Sequence, residues 1–303
     1  MKRESCQSVV TQYRLLKACV TGVLAAVSLP WAAAAATVTL LGGVLTDTEF
    51  RFNAVGTPNS TWHVSWSGDL ATWQSLPDVT LNNSGAWMIR DWTVSGVSQR
   101  FYRLVENTSI NPQVVGYGYY QKTVAVKGYA LIANQLSVVP GNPPDDLVNM
   151  ILPEMPDFTE LYVFANGQWQ NAITFYPQSG WFPEDATIDL GQGAMVFNPT
   201  TSPLTLNFIG EVPQGTWNPQ IPAGGWMGGS TVPQSAALSV LGVPGNDFDT
   251  LYGWTGTQWG SISTYYGTDV GGNGWYPDQV ITVGEAFFLD ASQPLTWTIQ
   301  FSL

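Results

Sequence analysis

The stretch DFTELYVFANGQWQNAITFY, Asp157 to Tyr176, is written again ninety residues later as DFDTLYGWTGTQWGSISTYY, Asp247 to Tyr266, with eight of twenty positions identical. A chain that repeats itself over this length is committed to folding one unit twice. Three further landmarks keep their order. GYYQKTVAVKGY (Gly118 to Tyr129) matches GTWNPQIPAGGW (Gly215 to Trp226), placing Tyr129 opposite Trp226. GWFPEDATIDLGQG (Gly180 to Gly193) matches GWYPDQVITVGEA (Gly274 to Ala286), and SPLTL matches QPLTW. Each copy runs to about 95 residues, too long for one propeller blade and the right size for a β-sandwich. Two halves of one pseudo-symmetric domain is the other arrangement the repeat allows.

Within each copy the first strand of the hairpin is apolar on both faces, with Leu161 and Val163 on one and Tyr162 and Phe164 on the other. That is the pattern of a strand covered on both sides, so Tyr162/Tyr252 and Phe164/Trp254 are assigned to the core. Asn166-Gly167 marks a tight hairpin turn, and Gly256 serves at the matching place. PPDDLVNMIL (Pro143 to Leu152) is the one helical signal, with proline at its start and acids in its first turn.

Ahead of the repeats, STWHVSWSGDLATW alternates Trp62, Val64 and Trp66 with polar residues, and QRFYRLVEN supplies a closing strand. The expected class is all-β: a small N-terminal antiparallel β-sandwich at 37–110, then two homologous β-sandwich-like repeats at 111–210 and 211–303. The segments SGDLATW and RFYRLVEN resemble a small β-sandwich module of uncharacterised secreted bacterial proteins, which is accompanied by duplicated Trp- and Gly-rich acidic repeats. That resemblance implies secretion and a β fold, and transfers no catalytic residue.

Residues 1–36 have the parts of a secretory signal peptide: a basic opening, the apolar run ACVTGVLAAVSL and small residues ending at Ala36. Cleavage near Ala36 makes the expected location extracellular or the cell surface. Both cysteines, Cys6 and Cys19, fall in this leader. The mature chain then has no disulfide, no thiolate nucleophile and no cysteine metal site, so burial must stabilise it.

Charge narrows the partners. No Lys or Arg follows Lys127, while residues 128–303 hold fifteen Asp and Glu. A polyanionic surface repels phosphate backbones and anionic headgroups, so neither nucleic acid nor a membrane is an expected partner. LTWTIQFSL alternates to the C-terminus as a barrel strand would, but the prolines scattered through the repeats argue against a membrane barrel.

Catalytic side chains are scarce. His63 is the single histidine, on the polar face of a strand, and no nucleophile-elbow or phosphate-loop pattern occurs. A carboxylate-based glycoside hydrolase or lyase is the one enzyme class left, through Asp157/Asp247 or Glu184/Asp278, yet turn chemistry or strand-end hydrogen bonding explains residues kept once per copy more readily. The expectation is a non-catalytic binding protein. Trp181 and Trp275, each after a glycine and two residues before a proline, are expected in polar loops with Asp185 and Asp278 beside them, suited to stacking on a sugar of an extracellular polysaccharide. Asp247, Asp249 and Asp269 are the candidate ligands for Ca2+, the ion an oxygen-rich surface accepts. The alternative is a structural or adhesive component of an extracellular layer, held to a surface protein or to copies of itself, with calcium as a bridge.

Overall fold

The computed structural model describes residues 36–107, 112–138, 146–268 and 271–303. The expected leader, all but Ala36, and the candidate ligand Asp269 lie outside the described residues.

The protein is all-β. Near the N-terminus a three-stranded antiparallel sheet, Val38–Leu45, Phe50–Gly56 and Ala86–Asp91, covers a larger one. The larger sheet runs in the order Leu204–Glu211, Val114–Val124, Gln99–Glu106, Thr61–Ser67, Gln74–Ser75, with Val79–Thr80 also paired to Thr61–Ser67. Phe50, Phe52, Trp62, Tyr102, Tyr117 and Tyr119 fill the space between them. The expected alternation holds: Trp62 and Val64 are buried there, and His63 stays on the opposite face.

The divide drawn near residue 110 is crossed by this sheet, because Gln99–Val105 pairs in antiparallel register with Tyr120–Val114. Strand period explains how one strand serves both sides. Val115, Tyr117 and Tyr119 point into the N-terminal core, whereas Tyr120 and Val124 point into the core of the first repeat. Tyr120 stacks on Phe208 at 4.6 Å and 9°, and its hydroxyl donates to Ala133 O at 2.7 Å.

The duplication is visible in the topology. The first repeat has the sheet Gly180–Phe182, Ile173–Tyr176, Glu160–Ala165, Gly193–Phe197, Tyr129–Ala133, in that spatial order. The second has Gly274–Tyr276, Trp259–Tyr266, Thr250–Trp254, Phe287–Ala291, Gly224–Gly228, in the same order of equivalents. One matched pair shifts by a residue. Val196 pairs with Ala130 and its equivalent Leu289 pairs with Trp226, so Ala130, not Tyr129, occupies the place of Trp226. A one-residue slip exchanges faces. Trp226 therefore enters the core against Trp297, while Tyr129 faces the other repeat and meets Trp254 at 6.2 Å.

Of the helix expected over Pro143 to Leu152, residues 143–145 lie outside the described residues, and the remainder holds a single turn, Val148–Ile151. Asp146 explains the shortening. Its buried carboxylate accepts from Asn134 Nδ2 at 2.9 Å and from Val138 N at 3.1 Å, so it is spent on a neighbouring loop rather than on a helix start.

The two repeat sheets face each other across a seam of small and flexible side chains, Leu131, Ala133, Met195, Met227 and Ala286. The faces bearing Tyr162, Phe164, Trp254 and Phe288 ring this seam, so the aromatics assigned to the core sit between repeats, half-buried, rather than within either one. The backbones come close enough to bond directly: Ala133 N donates to Gly284 O at 3.0 Å, and Gly229 N to Gly191 O at 2.9 Å. These two bonds are equivalents under the repeat, Ala133 with Gly229 and Gly284 with Gly191. A Cβ at Gly229 would meet Glu285 O at 2.7 Å, and one at Gly193 would meet Gly228 N at 2.9 Å. Gly229→Val should therefore force the sheets apart and cost about 2–3 kcal/mol by chemical denaturation. A midpoint unchanged in urea would show that the seam is not close-packed.

Candidate functional site

Each hairpin-and-strand unit ends in the short edge strand that carries the candidate tryptophans. Gly180–Phe182 and Gly274–Tyr276 are strands, not loops, paired to Ile173–Tyr176 and Trp259–Tyr266. Period two then decides which residues meet solvent. Trp181 and Trp275 turn inward and are buried, edge-on to Phe175 at 5.5 Å and to Tyr265 at 5.3 Å. Their indole N–H groups donate to Leu152 O at 2.7 Å and Val243 O at 2.9 Å. The expectation that they stack on a sugar is thus corrected. Their rings have no free face, and they hold the edge strand to the turns at Leu152 and Val243.

The next residue in each copy faces out. Phe182 is 64% exposed and Tyr276 74%. Register sets Phe182 opposite Thr174 and diagonal to Tyr176, and sets Tyr276 opposite Thr264 and diagonal to Tyr266. A third ring completes each row. Phe158 lies edge-on to Tyr176 at 6.0 Å and Phe248 to Tyr266 at 6.0 Å, the pair being 56% and 64% exposed. Every repeat thus presents the same outward aromatic row, Phe158-Tyr176-Phe182 or Phe248-Tyr266-Tyr276, at the sheet edge remote from the seam.

The two phenylalanines are held there at a conformational cost. Phe158 has φ 64° and Phe248 φ 69°, each the third residue of a turn closed by Thr159 N to Pro156 O or Asp249 N to Asn246 O. Glycine is the ordinary occupant of that position, and a bulky residue there is strained. The same backbone clasp recurs in both copies, Phe158 N to Phe175 O and Phe248 N to Tyr265 O. A greasy side chain placed in solvent on a strained backbone, twice, is not explained by packing.

The acids occupy structural places. Asp278 is exposed and accepts from Ser239 N at 3.0 Å and Ser239 Oγ at 2.5 Å, which holds its carboxyl below the usual range. Asp185 is exposed on the turn that follows Pro183. Asp249 is buried, and its two oxygens accept from Asn246 N, Asn246 Nδ2 and Ser292 N. Asp247 accepts from Gly267 N at 2.5 Å. In this structure the D-x-D pair thus forms two loop clasps, one of them buried. Among the described residues no three His, Cys, Asp or Glu side chains gather as a cation site.

The structure also assembles a triplet that sequence spacing does not suggest. His63 Nδ1 lies 2.8 Å from Asp78 Oδ1, and Ser75 Oγ lies 3.4 Å from His63 Nε2. The order is that of acyl-transfer triads. The site is open on a strand surface, however, and the amide after the serine, Leu76 N, is spent on Val64 O at 2.8 Å, so it does not stabilise an oxyanion.

Sequence inspection passes over the outward rows because Phe158, Phe248, Phe182 and Tyr276 each adjoin a more conspicuous residue. The signal was present in the repetition of Asp-Phe and of Trp-aromatic-Pro in both copies. Trp169 and Trp259, identical after the hairpin turn, were likewise passed over; both are exposed at the seam.

No protein-family model matches the chain, and no curated protein is found similar to it. Two solved chains match. One is the crystal structure of Salmonella alpha-2-macroglobulin reacted with methylamine, 11% identical, covering 88% of this chain and 20% of that chain at a TM-score of 0.21. That likeness carries no argument about fold or function.

Burial and exposure in adjacent residues give a direct test. Trp181→Ala should cost about 3–5 kcal/mol of stability, whereas Phe182→Ala should leave the thermal midpoint within a degree or two. Equal midpoints for the two variants would contradict the placement of the edge strand.

Proposed function

We propose that the chain is a non-catalytic extracellular binding protein in which each repeat offers its aromatic row to a neutral polysaccharide. The observation that carries this reading is the duplicated row of exposed rings on a strained backbone. Aromatic faces suit the C–H surfaces of pyranose rings, and the phenol hydroxyls of Tyr176, Tyr266 and Tyr276 suit their hydroxyl groups. Charge selects within the class. With no Lys or Arg after Lys127, a uronate- or sulfate-bearing chain is repelled and a neutral one is not.

Two equal sites on one rigid frame favour a polymer. Binding a second segment of the same strand is intramolecular, which raises retention well above that of a single site. The rival reading, assembly of copies through sheet edges, is less well served. The outer edges are three-residue strands followed directly by proline, a poor template for strand addition.

Phe158→Gly with Phe248→Gly is the decisive variant, because glycine relieves the positive φ while removing the rings. Stability should be unchanged or raised by up to about 1 kcal/mol per site, and retention in affinity gels of neutral polysaccharides should be lost. Either single variant should lower retention on polymer by about 10- to 100-fold while affecting short oligosaccharides only about twofold. Full retention by the double variant would remove the rows from the binding surface.

A further inference from the structure

The seam between the repeats holds a second aromatic feature of different geometry. Phe164, Trp169, Tyr252, Trp259 and Phe288 line an open hollow of about 270 Å3. A neighbouring hollow of about 360 Å3 shares Trp169 and Trp259 and adds Tyr129, Tyr162, Met195 and Trp254. Trp169 and Trp259 are equivalents under the repeat, each following its hairpin turn, and their rings stand 6.4 Å apart.

The rings meet as walls. Phe164 is at 81° to Trp169 and 79° to Phe288, while Phe288 is at 62° to Trp259 and 61° to Tyr252. Such a box presents several π faces to one small volume instead of a flat platform. Neither indole N–H of Trp169 or Trp259 donates to a protein acceptor among the described residues, and no lining residue of either hollow is cationic. Carboxylates stand nearby, and Lys127, two residues from Tyr129, is turned to Pro199 O. Glu160 accepts from Tyr162 Oη at 2.5 Å beside the second hollow, and Asp290, two residues from Phe288, lies on the same sheet face as Tyr252 and Phe288.

From this we infer that the inter-repeat hollow is an organic-cation site, built for a trimethylammonium group such as that of choline. Converging π faces attract a large, weakly hydrated cation within about 6 Å of the ring centroids, with tryptophan the strongest partner. The surrounding carboxylates add long-range attraction for a positive ligand and oppose any that carries phosphate. The site shares no residue with the outward rows, so it stands or falls independently of polysaccharide binding.

The test is titration of the whole chain with choline and with tetramethylammonium, followed by tryptophan fluorescence and calorimetry. The uncharged choline isostere 3,3-dimethylbutan-1-ol and a neutral monosaccharide serve as controls. Choline should bind at least about tenfold more tightly than its neutral isostere, and Trp169→Phe with Trp259→Phe, which keeps the walls, should weaken choline by about 5- to 20-fold. Trp169→Ala with Trp259→Ala should abolish choline binding and leave polysaccharide retention intact. Equal binding of the neutral isostere would reduce the hollow to a simple apolar cavity. Preference for the monosaccharide, or no response to any probe by a folded protein, would overturn the assignment.

Discussion

The two repeat sheets of this protein come so close at their strand ends that the turns beside them share backbone hydrogen bonds, and the C-terminal two thirds of the molecule is arranged around that contact. Sheets packed through ordinary side chains stand about 10 Å apart. Bonds of 2.9 and 3.0 Å from Gly229 to Gly191 and from Ala133 to Gly284 require small residues at these strand ends and turns, with Leu131, Met195 and Met227 filling the seam beside them. Large rings have no room in such a seam. They are displaced to its margins, which is where Tyr129, Phe164, Trp254 and Phe288 stand, and where the hairpin tryptophans of the two copies come within 6.4 Å of each other. The close contact also orients the sheets so that their remote edges stay in solvent, leaving one aromatic row on each repeat.

The same geometry explains why much of the fold was legible and the site was not. The duplication, the strand alternation in STWHVSW and the Asn166-Gly167 turn depend on local chemistry, and local chemistry is what a sequence displays. Asn166 has φ 53° and Gly167 φ 75°, as such a turn demands. Tyr129 and Trp226 show the limit. Both are aromatic at the same landmark, but strand register, which depends on distant partners at Val196 and Leu289, puts one in the seam and the other in a core. Trp181 and Trp275 fail for a related reason. Glycine, proline and acids around them imitate a loop, whereas pairing to the neighbouring strand makes the segment period-two and sends the tryptophan inward and its successor outward. That the strand Val114–Val124 serves two cores was not legible either, since nothing local says which partners its two faces will meet.

Charge is handled differently in the two parts of the molecule, and the difference bears on what can bind. In the N-terminal part Arg51 and Arg90 pair with Glu49 and Arg100 pairs with Asp91, and His63 Nδ1 stands 2.8 Å from Asp78 Oδ1. In the repeats, carboxylates are met by neutral donors instead. Asp249 takes backbone and amide N–H groups, Asp278 takes Ser239, and Glu285 takes Thr282 N and Oγ1 at 3.0 and 2.7 Å. Hydrogen bonds of this kind satisfy the oxygen atoms without cancelling their charge. At exposed Asp278 the negative charge therefore stays at the surface, while Glu285 shares Thr282 with the Lys122 ammonium.

A net negative field does part of the selecting before any contact is made. Anionic ligands meet net repulsion from the acidic repeats, whose cations are Lys122 and Lys127 at the start of the first copy, and this favours neutral and cationic ligands. Exposed aromatics divide those two classes by shape. A row of rings along a sheet edge is extended and matches the flat, repeating face of a neutral sugar chain. Rings tilted at 42° to 81° around a hollow present converging faces, the shape proposed for a compact positive group. One repeated hairpin contributes to both proposed surfaces, through Tyr176 and Tyr266 at its outer end and Trp169 and Trp259 at its tip, and pairing two copies across the seam builds a box that neither repeat can form alone.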